Sequence, residues 1–121
     1  MEPIPQPFEI VDAPLSGACG VAVKGELDLA AVPSFQIAVD TAIRESVGVF
    51  VLDLCDVEFI DSSGLRVLLR ARALLARDER DLAIVCPPGA ARRVFEMAGI
   101  FDLLILFSTR DEAAAALVPA G

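Results

Sequence analysis

The sequence predicts an α/β fold, with a mixed β-sheet of about four to five strands and about four helices packed against it. Two observations support this prediction. Short apolar runs that favour β-strands alternate along the chain with longer segments whose apolar residues recur at helical spacing. One such run, residues 49 to 54, is expected to be the central, fully buried strand, and the polar segment Asp61-Ser62-Ser63-Gly64 separates it from a helical pattern.

The first half of the chain is predicted to form a hairpin followed by a helix. Residues 8 to 12 alternate weakly, as an edge strand does, and residues 13 to 17 contain the Pro and Gly of a turn. Residues 19 to 24 then supply the second strand. Apolar positions recur at helical spacing across residues 32 to 46, and Pro33 is tolerated in the first turn of that helix.

A second helix is expected to begin after Ser63. Arg66, Arg70 and Arg77 are spaced by four and seven residues, so they share one face as a basic stripe. The rest of the helix presents a wide apolar surface. It is made of Leu65, Val67, Leu68, Ala71, Leu74 and Leu75.

The remaining chain is predicted to form two strands and two helices. Residues 82 to 86 are a buried strand, and residues 91 to 98 follow a helical pattern that Gly99 ends. Residues 103 to 107 are a last short strand. Thr109 is then a suitable N-cap for a closing helix from residue 110 to about 117.

Length and charge restrict the class of protein. The 121 residues fit one domain, and we expect residues 8 to 117 to form its folded core, with residues 1 to 7 as an N-terminal tail. The net charge of −8 weighs against nucleic acid and anionic membranes as partners, because both select clustered positive charge. No apolar run approaches the roughly 20 residues that span a bilayer, so no membrane insertion is expected.

The N-terminal residues and the cysteines lead us to expect a cytoplasmic protein. The acidic, proline-rich start lacks the basic and apolar parts of a signal peptide. Cys19, Cys55 and Cys86 are odd in number and far apart, which suits neither a disulfide framework nor a chelating pair. We therefore expect three buried thiols in a reducing cytosol.

The composition argues against catalysis. The chain has no histidine, the commonest general base and a common zinc ligand, and Lys24 is its only lysine. It has no Gly-x-x-x-x-Gly-Lys loop for phosphate. Carboxylates are plentiful where strand ends and caps are expected: Asp28, Asp53, Asp56, Glu58 and Asp61. We expect no enzymatic activity, no cofactor and no metal.

The segment Asp61-Ser62-Ser63-Gly64 has both a structural and a functional interpretation. Asp and Ser are ordinary helix N-caps, so Asp61 is expected to cap the following helix. The same position is suited to a phosphorylated serine, because free N–H groups and the positive end of the helix dipole favour added negative charge. Asp61 then helps to present the hydroxyl to a kinase. The basic stripe is either a solvated helix face or a contact for an acidic partner.

Two motifs together resemble the STAS domain family, and among its members the stand-alone bacterial anti-sigma factor antagonists. They are Gly25-Glu26-Leu27-Asp28 and, some thirty residues later, Phe59-Ile60-Asp61-Ser62-Ser63-Gly64-Leu65. The resemblance extends over nearly the whole chain and implies a STAS-like sheet with Asp28 close to the second motif. Arg66 departs from the pattern, which commonly has a small residue there, and we expect this departure to affect which partner is accepted.

The resemblance also implies a function. The expected site is Ser62 for phosphorylation, with a partner surface made of Asp28, Asp61, Ser62, Ser63, Gly64 and Arg66, where Ser63 also serves as a capping group. In such a partner-switching cycle the unphosphorylated protein binds an anti-sigma factor that is also a serine kinase, which releases the sigma factor and regulates transcription. The kinase then phosphorylates Ser62 with ATP, and a metal-dependent serine phosphatase reverses the modification.

Other functions remain open at the level of sequence. The alternative is a STAS accessory subunit of a lipid or anion transport complex, in which the serine pair is only a cap. The cytosolic domain of an anion transporter is disfavoured because the chain has no membrane-spanning segment. A nucleotide-binding module is weaker still, since nothing resembles a phosphate cradle.

Overall fold

The structure, a computed structural model, describes residues 8–15 and 18–117. Its elements in chain order are strand β1 (Phe8–Asp12), strand β2 (Cys19–Leu27), helix α1 (Val32–Arg44), strand β3 (Phe50–Ile60), helix α2 (Ser62–Arg77), strand β4 (Leu82–Val85), helix α3 (Ala90–Met97), strand β5 (Ile105–Phe107) and helix α4 (Arg110–Ala116). The predicted fold class is confirmed. The predicted tail, residues 1 to 7, and residues 16 and 17 of the predicted turn lie outside the described residues.

The five strands form one mixed sheet in the order β1-β2-β3-β4-β5. β1 pairs antiparallel with β2, so the predicted hairpin is confirmed. The pairs β2–β3, β3–β4 and β4–β5 are all parallel. β3 therefore lies in the middle of the sheet, and its carboxyl end is adjacent to that of β2.

The sheet buries both faces around β3, because alternate residues of a strand point to opposite sides. Phe50, Leu52 and Leu54 belong to the larger hydrophobic cluster, to which α1, α2 and α3 contribute their apolar faces. Val51 belongs to a smaller cluster that contains Ala113 of α4. Three helices thus cover one face of the sheet, and α4 covers part of the other.

Several boundaries differ from the prediction. β2 continues to Leu27, and β3 begins at Phe50 and extends to Ile60. Val49, expected to be buried in that strand, is half-buried and precedes it. α2 begins at Ser62 rather than after Ser63, because Asp61 caps it. The last strand begins at Ile105 rather than at Leu103, which instead ends a 3₁₀ turn, Phe101–Leu103. The first and last residues of β4, α3 and α4 lie within one residue of the predicted bounds.

Helix α1 ends two residues before its predicted end, and Arg80 holds the chain there. The Arg80 guanidinium donates to the carbonyl oxygen of Ile43 at 2.9 Å, to that of Gly48 at 2.7 Å and to Ser46 Oγ at 2.8 Å. The last carbonyl groups of a helix lack partners within the helix, so a cation at this end satisfies them and complements the helix dipole. This contact joins the turn before β4 to the end of α1.

Strand β3 is irregular beyond its buried first half. Its register with β2 passes from Ala22↔Asp53 to Lys24↔Asp56, so β3 contains one extra residue in that interval. A second shift lies between Gly25 and Glu26 of β2. Such bulges leave a backbone N–H unpaired and bend the strand. Asp53 supplies the missing partner, because its Oδ1 accepts from the N–H of Cys55 at 2.9 Å.

Asp53 also forms an ion pair that ties α4 to the sheet. Arg110 donates from one guanidinium nitrogen to Asp53 Oδ2 at 2.7 Å and from the other to the carbonyl oxygen of Pro14 at 3.4 Å. Burial alone raises the pKa of Asp53, but hydrogen bonds from Cys55 and Arg110 outweigh it, so the pKa lies below its ordinary value. The expectation that Asp53 is a strand-end or capping group is wrong, since it lies buried inside β3.

The three cysteines are free thiols in different surroundings. Cys86 is buried, Cys19 is half-buried and Cys55 is exposed. The expectation of buried thiols is therefore wrong for Cys55, because the bulge turns residues 55 and 56 toward solvent. Partial burial of the thiol and the hydrogen bond to Asp53 raise the pKa of Cys55 to about 12. Its sulfur is consequently protonated at neutral pH and is a poor nucleophile.

Shortening a buried side chain in the central strand β3 tests the fold. Leu52 is fully buried in the larger cluster, so Leu52→Ala is expected to lower the free energy of unfolding by roughly 2–5 kcal/mol, measured by urea denaturation. Val47→Ala is the matched control, since Val47 is 87% exposed. Equal stability of the two variants would show that β3 is assigned wrongly.

The lowered pKa of Asp53 predicts a pH dependence. Such a carboxylate stabilises the fold fully above its unfolded pKa, near 3.8, and loses that contribution as the pH falls through the lower folded value. At pH 7 we expect Asp53→Asn to be less stable than the parent by about 1–3 kcal/mol, with the gap narrowing below pH ~4. Asp56→Asn, on the exposed part of β3, should cost no more than about 0.5 kcal/mol. If the difference in stability between the parent and Asp53→Asn stays constant from pH 7 to pH 3, the pKa of Asp53 is not lowered in the folded protein.

Candidate functional site

The candidate site lies where the parallel strands β2 and β3 end side by side. Leu27 pairs with Ile60 at the last position of the register. Asp28 and Asp61 directly follow these two residues, and Ser62 begins α2. The structure thus places Asp28 at the same edge of the sheet as Asp61 and Ser62, as the resemblance implied.

Asp61 organises the start of α2. Its backbone is extended, and its Oδ1 accepts hydrogen bonds from the N–H groups of Ser63 at 2.9 Å and Gly64 at 3.2 Å. These are two of the N–H groups that a helix leaves without internal partners at its N-terminus. The expected capping role of Asp61 is confirmed. The capping role expected of Ser63 is wrong, because Asp61 already occupies the cap position.

Gly64 allows α2 to approach the end of β2. A Cβ at this position would lie 2.6 Å from the carbonyl oxygen of Leu27 and 2.8 Å from Cγ1 of Ile60. Both contacts are shorter than van der Waals distance, and one involves backbone. Gly64 is also buried, so its part in the site is to set the position of α2.

The two serines differ in exposure. Ser62 is exposed at the first position of α2, whereas Ser63 is half-buried and its N–H is bonded to Asp61. Across the described ranges 8–15 and 18–117, the structure gives the Ser62 hydroxyl no hydrogen bond. The Ser62 hydroxyl is therefore accessible from solvent at the start of α2.

Asp28 has a structural role beside the site. Its Oδ1 accepts from the N–H of Ala31 at 3.1 Å, and its carbonyl oxygen accepts from the same N–H at 3.0 Å. The side chain is half-buried. Asp28 thus fixes the turn that leads into α1 while remaining partly accessible next to Asp61.

The basic stripe of α2 is not uniform. Arg66 is exposed in the first turns of the helix. Arg70 donates to Asp40 of α1 at 2.9 Å and so joins the two helices. All three arginines are exposed, so the expected solvated face is confirmed, and Arg70 in addition forms an ion pair across to α1.

Two exposed apolar residues flank the site and were not singled out from the sequence. Leu29, directly after Asp28, is 72% exposed, and Phe59, two residues before Asp61, is 47% exposed. An apolar residue inside a polar turn was the available signal for Leu29. Exposed apolar side chains beside polar groups are typical of protein-binding surfaces.

The described residues include no group of three or more His, Cys, Asp or Glu side chains that can hold a metal ion. In the same part of the chain, no helix has both the length and the apolar character needed to cross a bilayer. The site consists of an exposed hydroxyl, two carboxylates that accept backbone N–H groups, a cation and apolar neighbours, an arrangement suited to binding a protein.

Comparison with known proteins assigns the family. The model of the STAS domain matches residues 12–113, and the chain belongs to that family. The anti-sigma-F factor antagonist RsfB of Mycobacterium tuberculosis is 25% identical over 109 residues, 90% of this chain and 88% of that protein. The anti-sigma F factor antagonist of Paenibacillus polymyxa is 31% identical over 100 residues, 80% of this chain and 84% of the relative.

Solved structures agree with the family. The crystal structure of an anti-sigma factor antagonist from Mycobacterium paratuberculosis has a TM-score of 0.83 at 27% identity, covering 93% of this chain and 95% of that chain. The structure of the Bacillus cell fate determinant SpoIIAA in its phosphorylated form has a TM-score of 0.63 at 23% identity. The match covers 91% of this chain and 98% of that chain. The second likeness shows a common fold.

A substitution at Gly64 tests whether the close approach of α2 to β2 is required. Ala has a higher helix propensity than Gly, by about 1 kcal/mol, yet its Cβ would clash with Leu27. We expect Gly64→Ala to destabilise the protein by about 1–3 kcal/mol in urea denaturation, because overpacking here displaces backbone. Ser62→Ala, two positions away and exposed, is the control and should change stability by no more than about 0.5 kcal/mol. A stabilised Gly64→Ala protein would mean that the helix start is not restricted by β2.

Proposed function

We propose that this protein is an anti-sigma factor antagonist that acts by binding and not by catalysis. The proposal is supported by membership of the STAS family and by relatives that carry this name and align over most of their own length. The binding surface in this proposal comprises Asp28, Asp61, Ser62, Ser63 and Arg66, with Gly64 setting the helix position. The exposed side chains of Leu29 and Phe59 would supply apolar contact next to it.

The observation on which the proposal rests is the exposed hydroxyl of Ser62 at the N-terminus of α2, which makes no hydrogen bond to any residue that the structure describes. In the proposed cycle, the anti-sigma factor is also a serine kinase. It transfers the γ-phosphoryl group of ATP to Ser62 Oγ, so that ADP leaves and the hydroxyl proton is released. A metal-dependent serine phosphatase hydrolyses the phosphoester and restores the hydroxyl. The cycle takes place in the cytoplasm and controls sigma factor activity.

The fold is suited to carrying this phosphate. A phosphate adds about −1.5 to −2 charges at a position where the helix dipole and N–H groups favour negative charge. The phosphorylated form of SpoIIAA has the same overall fold as this chain. Phosphorylation should therefore change the surface more than the interior.

The same phosphate would prevent close packing by a partner. Its removal from water costs several kcal/mol unless the partner offers a matching cation. A micromolar complex has a binding free energy of about −8 kcal/mol, and each 1.4 kcal/mol of loss weakens binding tenfold. A loss of about 3 kcal/mol would thus weaken binding by more than a hundredfold.

Substitutions at Ser62 test the proposal. We expect Ser62→Ala to bind the kinase-type anti-sigma factor and to resist phosphorylation, whereas Ser62→Asp stays folded but binds at least tenfold more weakly. Binding is measured by titration calorimetry, and phosphorylation by intact mass after incubation with the kinase and ATP. Ser63→Ala is the matched control, and it should still gain one phosphate.

Two outcomes would contradict the proposal. Phosphorylation of Ser62→Ala but not of Ser63→Ala would show that Ser62 is the wrong hydroxyl. If the protein from its native cells never gains a phosphatase-sensitive mass under any growth condition, the accessory role in a transport complex would be favoured instead.

A further inference from the structure

Arg66 lies one helical turn beyond Ser62 on α2, so both residues are on the same face of the helix. Side chains of a helix tilt toward its N-terminus, which directs the long side chain of Arg66 back toward Ser62. Residues four apart have their Cβ atoms about 6 Å from each other. An arginine therefore reaches a phosphate on the earlier residue without any backbone movement.

Arg66 is available for such a contact. Its side chain is exposed, and within residues 8–15 and 18–117 the structure gives it no hydrogen bond or ion pair. Arg70, Arg77 and Arg80 are engaged elsewhere or remote. Arg70 is bound to Asp40, and Arg80 holds the end of α1. Arg77 follows Ser62 by fifteen residues along the helix, about 22 Å.

The surroundings of Ser62 are otherwise acidic. Asp61 precedes it, Asp28 follows the neighbouring strand β2, and Glu58 is exposed near the end of β3. The Oδ1 atoms of both aspartates already accept backbone N–H groups. A phosphate placed among these carboxylates is repelled by them, and Arg66 is the cation in the first two turns of α2 that offsets this repulsion.

We propose that Arg66 forms an ion pair with the phosphate of Ser62 within the same chain. This inference rests on the proposed phosphorylation and adds a second consequence to it. The phosphate both introduces negative charge at the partner surface and engages Arg66, which is part of that surface in the unmodified protein. Partner binding then loses a cationic contact when the phosphate appears.

The ion pair is tested on protein with phosphoserine incorporated at position 62 during synthesis, so no kinase is needed. Phosphorus NMR gives the second pKa of the phosphate, ordinarily about 6. Arg66 stabilises the dianion and lowers this pKa, so Arg66→Gln should raise it by about 0.3 to 0.5. Arg66→Lys, which retains the charge, should keep most of the lowering, and 1 M salt should diminish the difference between the parent and the Arg66→Gln variant.

Arg77→Gln is the matched control, because it removes the same charge from the same face of α2. Arg77 lies much farther from Ser62 than the screening length of about 8 Å. The phosphate pKa of this variant should equal that of the parent. An equal pKa in parent and Arg66→Gln, or an equal rise in Arg66→Gln and Arg77→Gln, would overturn the ion pair.

Partner binding separates this inference from the proposed function. If unmodified protein fails to bind any anti-sigma factor while the Arg66 effect on the phosphate pKa is present, the function is wrong and the ion pair stands. If binding is switched by the phosphate but the pKa does not depend on Arg66, the function stands and the ion pair is wrong.

Discussion

The contact between the first turn of α2 and the last residue of β2 determines the geometry of the whole candidate site. Gly64 packs directly on the carbonyl oxygen of Leu27, where no other residue has room. Leu27 is paired with Ile60, so the same contact sets the ends of two strands and the start of a helix. Asp28, Asp61 and Ser62 therefore occupy fixed positions relative to one another, because each directly follows or begins one of these elements.

Electrostatic contacts outside the site stabilise this arrangement from both sides of the sheet. Asp53 satisfies the N–H left free by the first bulge of β3 and binds Arg110, which connects the strand to α4. Arg80 completes the end of α1, the helix that follows Asp28. Bulges and helix ends leave backbone polar groups without partners, and each of these contacts supplies a hydrogen-bond partner at such a place. Among the described residues, the strand that ends at Ile60 can thus bend without leaving buried side-chain polar atoms unsatisfied.

The sequence predicted the element order, the hairpin, the mixed sheet and the cap at Asp61, since these depend on local periodicity and capping chemistry. It could not predict the ion pair of Asp53 with Arg110, because the two residues are 57 positions apart and only the packing of α4 brings them together. The bulges of β3 were missed for a similar reason, as they exist only in the register with β2. Gly64 was placed among partner contacts from its motif, whereas the burial that explains it became visible only with Leu27 beside it.

The first turn of α2 divides its residues between the interior and the surface. Asp61 and Gly64 hold the helix against the sheet, through hydrogen bonds and close packing that a change at the surface does not disturb. Ser62 and Arg66 point away from these contacts and are both exposed. In the proposed cycle, a charge added to Ser62 would act on Arg66 and on the partner protein, while the capped helix start stays in place. This separation allows a large change in surface charge on a fold that does not have to rearrange.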